Sequence, residues 1–230
     1  MEQGILLVHE PDRLREVARL FNEIWRAPDG RWIFAPDLLR SLAHAGGAVH
    51  AAYEAGSLAG ASVAVFGPAN TVYSLVAGVR APDRGIGYAL KQAQRRWALG
   101  HGATVMRWTF DPLVGRNARF NLMKLGATAV AYSVDFYGPM DDGVQGMDET
   151  DRLTVQWRLD TDSPRPEFVK SGEGVWCQVP RDIVELRRTD PASAGRWRVA
   201  VREVMVPAFA NGFVATGMTR DGWYRLEKST

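Results

Sequence analysis

The sequence predicts an α/β chain of the α+β kind, and three observations carry that reading. Residues 72–79 form an apolar strand, Pro82-Asp83 breaks it, and from Gly85 onward Ile86, Leu90, Ala93 and Trp97 recur at helical spacing. Residues 48–53 and 58–66 are two strands joined by Glu54-Ala55-Gly56-Ser57, a hairpin signal. Further on, a helical period over 116–125 is followed by the alternating strand LTVQWRL at 153–159.

A length of 230 residues suits one large domain, or a domain with an extension, and is enough to bury a sizeable core. Lys and Arg number 28 against 26 Asp and Glu, a net charge of +2, which gives no general case for a nucleic-acid or anionic-membrane partner. No run of about 18 apolar residues is present to span a bilayer. Residues 1–10 lack the basic start and long apolar centre of a signal peptide, so the expectation is a cytoplasmic protein. Cys177 is the single cysteine, which excludes an internal disulfide and reads as a packed thiol. His9, His44, His50 and His101 have no metal-ligand spacing, and no metal is expected.

Taken in order, residues 5–8 are a short strand, and Pro11-Asp12 opens a helix whose core face is Leu14, Val17, Leu20, Phe21 and Ile24. Trp25 and Trp32 flank a Pro-Asp-Gly turn, and a second helix runs from Pro36-Asp37 to the stop at Gly46-Gly47. The hairpin and the central strand follow. The helix to Gly102 turns Lys91, Gln92, Arg95 and Arg96 away from its apolar face, which reads as a solvated side. Residues 104–110 are a strand ending at Asp111-Pro112. In the helix at 116–125, Asn117, Asn121 and Lys124 form a polar stripe beside Ala118, Leu122 and Leu125. Residues 127–137 are β-rich, and 138–151 are a polar, glycine-bearing loop.

From position 162 the composition changes, and Ser163-Pro164-Arg165-Pro166 reads as a linker between a domain at 1–161 and an extension at 162–230. Residues 175–179 are a strand. Asp190-Pro191 opens a helix with Ala194, Trp197, Val201, Val204 and Ala208 facing inward, and Pro207 is expected to kink or end it. Arg198 and Arg202, four apart, read as a solvated or ion-paired face or an anion clamp. Residues 213–219 and 223–226 close the chain as a hairpin about Asp221-Gly222. This β-α-β-β extension is too small for a core of its own. It is expected to dock on the first domain or on another subunit, giving a homodimer in the second case.

The glycine turn is the stretch with chemistry in it. Gly85 and Gly87 let the backbone curl so that N–H groups at the helix start converge where the helix dipole favours negative charge, a setting for phosphate or pyrophosphate. A P-loop needs four residues between its glycines and a Lys-Ser/Thr after them. A dinucleotide fingerprint needs a third glycine or alanine at position 90, which is leucine. A tight turn with no ligand is the other reading of these residues.

What does match is Arg84-x-x-Gly87-x-Ala89, which resembles the acyl-CoA pyrophosphate loop of GNAT-superfamily acyltransferases, Gln/Arg-x-x-Gly-x-Gly/Ala. The order strand, glycine loop, helix, strand, then Asn117-Ala118-x-Phe120 and Lys124-Leu125-Gly126-Ala127, carries the resemblance from about position 3 to about position 160. It implies a mixed, mostly antiparallel sheet flanked by helices and splayed between the strands at Val72 and Val105, with pantetheine in the splay. Acetyl-CoA or another acyl-CoA is the implied cosubstrate, without a metal. Carried over by position, Ala77 and Val79 would offer backbone groups to pantetheine. Arg84, Gly85, Ile86, Gly87, Tyr88 and Ala89 would cradle pyrophosphate, and Asn117 and Asn121 would contact the cofactor arm. The implied reaction is transfer of an acyl group, acetyl first, to an amine of a small molecule or protein. The alternatives are an acyl-CoA-binding protein without transfer, or a thioester hydrolase or decarboxylase.

One departure bears on mechanism. Many GNAT enzymes carry a tyrosine four residues before the glycine that ends the second cofactor helix, and position 122 here is leucine. Tyr132 and Tyr137 follow closely enough to be candidate acids, against an ordinary core role in a strand. Asp111 is the candidate base, with capping of the turn at 111–114 as its other reading.

Overall fold

The computed structural model describes residues 4–81, 84–140, 148–161, 164–171 and 174–229. Pro82, Asp83 and Ser163 of the sequence reading, and half of the loop at 138–151, residues 141–147, lie outside the described residues. The chain divides into two compact units, residues 1–107 and 108–230, so the boundary read at 161/162 falls inside the second of them.

The first unit is built on the strands β1 (Gly4–Leu7), β2 (Ala48–Glu54), β3 (Ser57–Phe66) and β4 (Thr71–Val79), side by side and antiparallel, with the start of β5 (Val105–Phe110) parallel to β4. Alternation along each strand sorts side chains to two faces. Val49 and Ala51 of β2, with Ala61 and Val63 of β3, join Leu14, Val17, Phe21 and Leu39 from α1 (Pro11–Trp25) and α2 (Pro36–His44) in one apolar layer. On the other face Ala52 packs with Ile86 and Leu90 of α3 (Ile86–Gly100). Two glycines set these distances. A Cβ on Gly78 would stand 2.8 Å from Ile24 and Trp25 at the end of α1, and one on Gly60 would stand 3.0 Å from Ile86 at the start of α3.

In the second unit α4 (Gly115–Arg119) runs into a π turn, Phe120–Lys124, in place of the single α-helix read at 116–125. β6 (Thr128–Ser133) and β7 (Arg152–Arg158) form an antiparallel pair. After them come β8 (Val175–Gln178), α5 (Ile183–Thr189), α6 (Pro191–Ala210), β9 (Phe213–Met218) and β10 (Trp223–Lys228). The strand order is β7-β6-β9-β10-β8, joined at Ala129↔Ala215, so β9 continues the sheet begun by β6 and β7. The extension is thereby built into this unit. It also holds a helix, α5, beyond the β-α-β-β pattern.

The buried face of α6 is Ala194, Arg198, Val201, Met205 and Ala208. Trp197 and Val204, read as core, sit at half-buried positions, because an arginine with buried acidic partners takes the central place. Pro207 lies inside the helix, which continues to Ala210.

A π turn leaves carbonyls without their usual i+4 donors. Arg165 supplies two, its guanidinium donating to Leu122 O at 2.9 Å and its backbone N–H to Met123 O at 2.8 Å, and the guanidinium reaches past the turn to Ala127 O at 2.5 Å and the Thr128 hydroxyl at 2.8 Å. Replacing Arg165 by Met should therefore cost about 2–3 kcal/mol, the scale of hydrogen bonds made by a charged donor. Thermal melting should register it as a fall of roughly 4–10 °C.

Candidate functional site

β4 is where the sheet changes character. It pairs along β3 to Val79, and in parallel with the start of β5 from Thr71↔Val105 to Tyr73↔Arg107. Its apolar sequence reads as fully buried. The structure buries Val72 and Ser74, leaves Leu75, Val76, Gly78 and Val79 half covered, and exposes Ala77. The pairing with β3 shifts register between Val63 and Ala64, whose partners are Val76 and Ser74, so Leu75 is an extra, bulged residue. In consequence Leu75 and Val76, successive in sequence, both pack on the α1–α2 layer. A bulged strand presents backbone groups that the ladder does not consume.

The glycine turn follows. Gly85 is the N-cap of α3 at φ +81°, a left-handed conformation that glycine adopts freely. Ala89 N–H donates to Gly85 O at 3.0 Å, so the N–H groups of Ile86, Gly87 and Tyr88 precede the first helical donor. Gly85 has no side chain to cap them, and no acid lies in the first turn. Gly87 is different from Gly85: its φ is ordinary, and a Cβ there would meet only Val79 Cγ1, at 3.9 Å. The fold does not need glycine at 87. Arg84 leans on Glu54 of the hairpin at 2.9 Å, and between them a cleft of about 140 Å³ is lined by Ser57, Leu58, Arg80 and Ile86.

The remaining sequence-read candidates lie in the second unit. Asp111 is 8% exposed, and two guanidinium groups hold it: Arg187 donates to Oδ2 at 2.5 Å and Arg198 to Oδ1 at 3.0 Å. The same carboxylate accepts the Leu113 N–H at 3.0 Å, which caps the turn. Burial raises the Asp111 pKa, but the two arginines outweigh it and hold the group below the ordinary carboxylate range. Arg187 and Arg198 also bind Asp148, closing a buried four-charge cluster. Tyr132 donates its hydroxyl to Asp151 Oδ2 at 2.5 Å, and Arg202 grips both oxygens of that carboxylate. Burial and the Asp151 charge push the tyrosine well above its usual pKa. Tyr137 is exposed and shares a hydrogen bond with Thr109. Asn117 is exposed on α4, whereas Asn121 is buried in the π turn beside Leu122. Burial pushes the Cys177 thiol up to about 12, as befits a packed group.

A polar layer under α3 escaped the sequence reading, which put Lys91 on a solvated face. Lys91 is 4% exposed, and its ammonium donates to the Ser74 hydroxyl of β4 at 2.9 Å. Ser74 donates in turn to Gln94 Oε1 at 3.0 Å. Burial brings the Lys91 pKa down to about 7. The signal was a polar residue inside the apolar run of each strand, His50, Ser62 and Ser74, all three buried.

No protein-family model matches this sequence, and no curated protein matches it. Solved structures do. An acetyltransferase from Salmonella typhimurium, solved with its cofactor acetyl-CoA, matches with a TM-score of 0.57 at 16% identity, covering 72% of this chain and 99% of its own. An N-acetyltransferase from Staphylococcus aureus gives 0.57 at 14% identity, over 69% and 99%. The ribosomal-protein-S18-alanine N-acetyltransferase of Escherichia coli gives 0.55 at 11%, over 73% and 100%. The chain has the GNAT fold. At such identities what is shared is the backbone, and the mostly antiparallel sheet flanked by helices is that of GNAT proteins. The GNAT neighbours span their own full length while leaving more than a quarter of this chain unmatched. Among the described residues, no helix is long and apolar enough to cross a membrane, and no group of three His, Cys, Asp or Glu side chains could hold a metal ion.

Proposed function

We propose that this protein binds acyl-CoA at β4 and the glycine turn and transfers the acyl group, acetyl first, to an amine. The observation that carries the reading is Gly87. It sits on the first turn of a 15-residue helix, has no steric reason among the described residues to lack a side chain, and is followed by N–H groups that suit a pyrophosphate. In this reading Ala77 and Val79 offer backbone groups to pantetheine, and Arg84 to Ala89 hold the phosphates. The thioester carbonyl is polarised by strand N–H groups and attacked directly by a neutral amine. A thiolate is a good leaving group near neutral pH, so the chemistry runs without an acid at the buried Leu122. The titration that governs turnover is then the amine's own.

Calorimetry tests the binding step. Coenzyme A should bind the wild type, and Gly87→Trp should melt near the wild-type temperature but lose at least tenfold in affinity, because the indole fills the approach to the phosphates. Absence of binding to folded wild type would sink the proposal. Incubation with acetyl-CoA separates the reactions: thiol release that requires an added amine is transfer, release without one is hydrolysis or decarboxylation, and saturable binding without release is a non-catalytic binder.

A further inference from the structure

The layer beneath α3 joins the two parts of the proposed site. Ser74 directly precedes the bulged Leu75. Its hydroxyl is held between Lys91 and Gln94, five and eight residues along the helix whose N-terminus carries the glycine turn. A strand interrupted by a bulge loses regular ladder hydrogen bonds and with them some of its definition in space. Here a buried side-chain tie stands at that point. We propose that Lys91 and Gln94 are positioning residues for the acyl-CoA site, fixing through Ser74 the bulged stretch of β4 that follows it; the assignment rests on the acyl-CoA reading above.

The surroundings make this tie the anchored part of a wider polar layer. His50 of β2 and Ser62 of β3 are register partners on the same face, 5% and 0% exposed. His50 Nδ1, Ser62 Oγ and Gln94 Nε2 have no hydrogen-bond partner among the described residues. Buried polar groups of this kind are met by ordered water. Water there would let Lys91 exchange its proton without opening the helix. Among the described residues of β2 and β3 on this face the titratable group is His50, which burial first and the Arg96 charge second bring down to about 4, so it stays neutral where Lys91 titrates. Arg95 and Arg96 complete the charges on α3 nearby, β3 and β4 face it with the hydroxyls of Ser62 and Ser74, and β1 has no ionisable side chain. Lys91 carries its proton below about pH 7, and only the ammonium must donate to Ser74.

The experiment compares wild type with Lys91→Met, Ser74→Ala and Ser74→Thr, all checked for folding by melting. Two quantities are measured from pH 6 to 8.5: amide hydrogen exchange over residues 75–78 in the free protein, and the dissociation constant for coenzyme A. The expected result is faster exchange and at least tenfold weaker binding in Lys91→Met and Ser74→Ala, with Ser74→Thr close to wild type because it keeps the hydroxyl. The wild type should show an inflection near pH 7 in both quantities that Lys91→Met abolishes. A role confined to stability would move neither the inflection nor the exchange at 75–78 in a folded variant. A wild type that binds coenzyme A, with both variants binding it equally well or exchanging at the wild-type rate, overturns the positioning role alone. A wild type that binds none overturns the acyl-CoA reading, whatever the exchange does.

Discussion

Asp111→Ala should lower stability by about 3–5 kcal/mol, the loss recorded when one member of a buried ion cluster is removed and its partners stay charged. The reason is geometric. The side chains of Arg187 and Arg198 are 7% and 1% exposed, and each shares its charge between Asp111 and Asp148. Without Asp111, two guanidinium groups face one carboxylate out of reach of water. Melting should fall by roughly 10 °C or more. The pH dependence has a definite sign: the folded-state pKa of Asp111 is depressed, so its contribution is present above the ordinary value of 3.8 and is lost as pH falls through the folded-state value. Asp111→Asn separates this role from catalysis. A structural carboxylate predicts lower melting with kcat/KM, measured below the melting range, close to wild type. A large loss of kcat/KM with unchanged melting would make it the base instead, and the same logic applied to Tyr132→Phe decides whether that hydroxyl does more than bind Asp151.

Lys91→Met should act in the opposite direction. Lys91 has a folded-state pKa of about 7 against 10.5 for the free side chain, so the unfolded chain binds the extra proton between those values. Stability of the wild type therefore rises with pH across that window, and the cost of burying the ammonium is complete below about pH 7. Methionine fills a similar volume without charge. The variant should be the more stable at pH 6, because the cost of burying the ammonium, about 1.4 kcal/mol per pKa unit, outweighs the roughly 1 kcal/mol of each hydrogen bond it makes, the one to Ser74 among them. The gain should shrink as pH rises and vanish near 10.5. Chemical denaturation at pH 6, 8 and 10 measures it, and a variant less stable than wild type at pH 6 would show the ammonium to be better solvated than its burial implies.

The two substitutions mark where the sequence was legible. Periodicity located β2, β3, β4, α3 and β5 to within a residue or two, because each alternates or repeats against a simple two-sided core. Gly85 and Gly87 were legible for a different reason, that a turn and an open approach restrict residue type directly. What periodicity cannot carry is a charge buried by a distant partner. Arg198 and Lys91 occupy core positions on α6 and α3 only because Asp111, Asp148 and Ser74 meet them there, and hydropathy assigns both to solvent. α5 was missed because it is seven residues long with Ile183 as its buried residue, yet its start was written in the chain: Asp182 and Glu185 have capping spacing, and the Asp182 carboxylate accepts the Glu185 N–H at 3.0 Å. Missing α5 hid Arg187, and with it the partner that ties Asp111 into a cluster.

The bulge in β4 has a thermodynamic consequence of its own. β2, β3 and β4 are linked by tight turns and pair over most of their length, so they can assemble from neighbouring stretches of chain, but the ladder between β3 and β4 is interrupted at Leu75. An interrupted ladder is a cheap place for the first unit to open locally. Anything that binds along the bulged stretch adds contacts just there, and mass action then raises the apparent stability by RT ln(1 + [L]/Kd). Resistance to proteolysis and heat would thus follow the free concentration of the occupant, and the protein's lifetime would report on its supply.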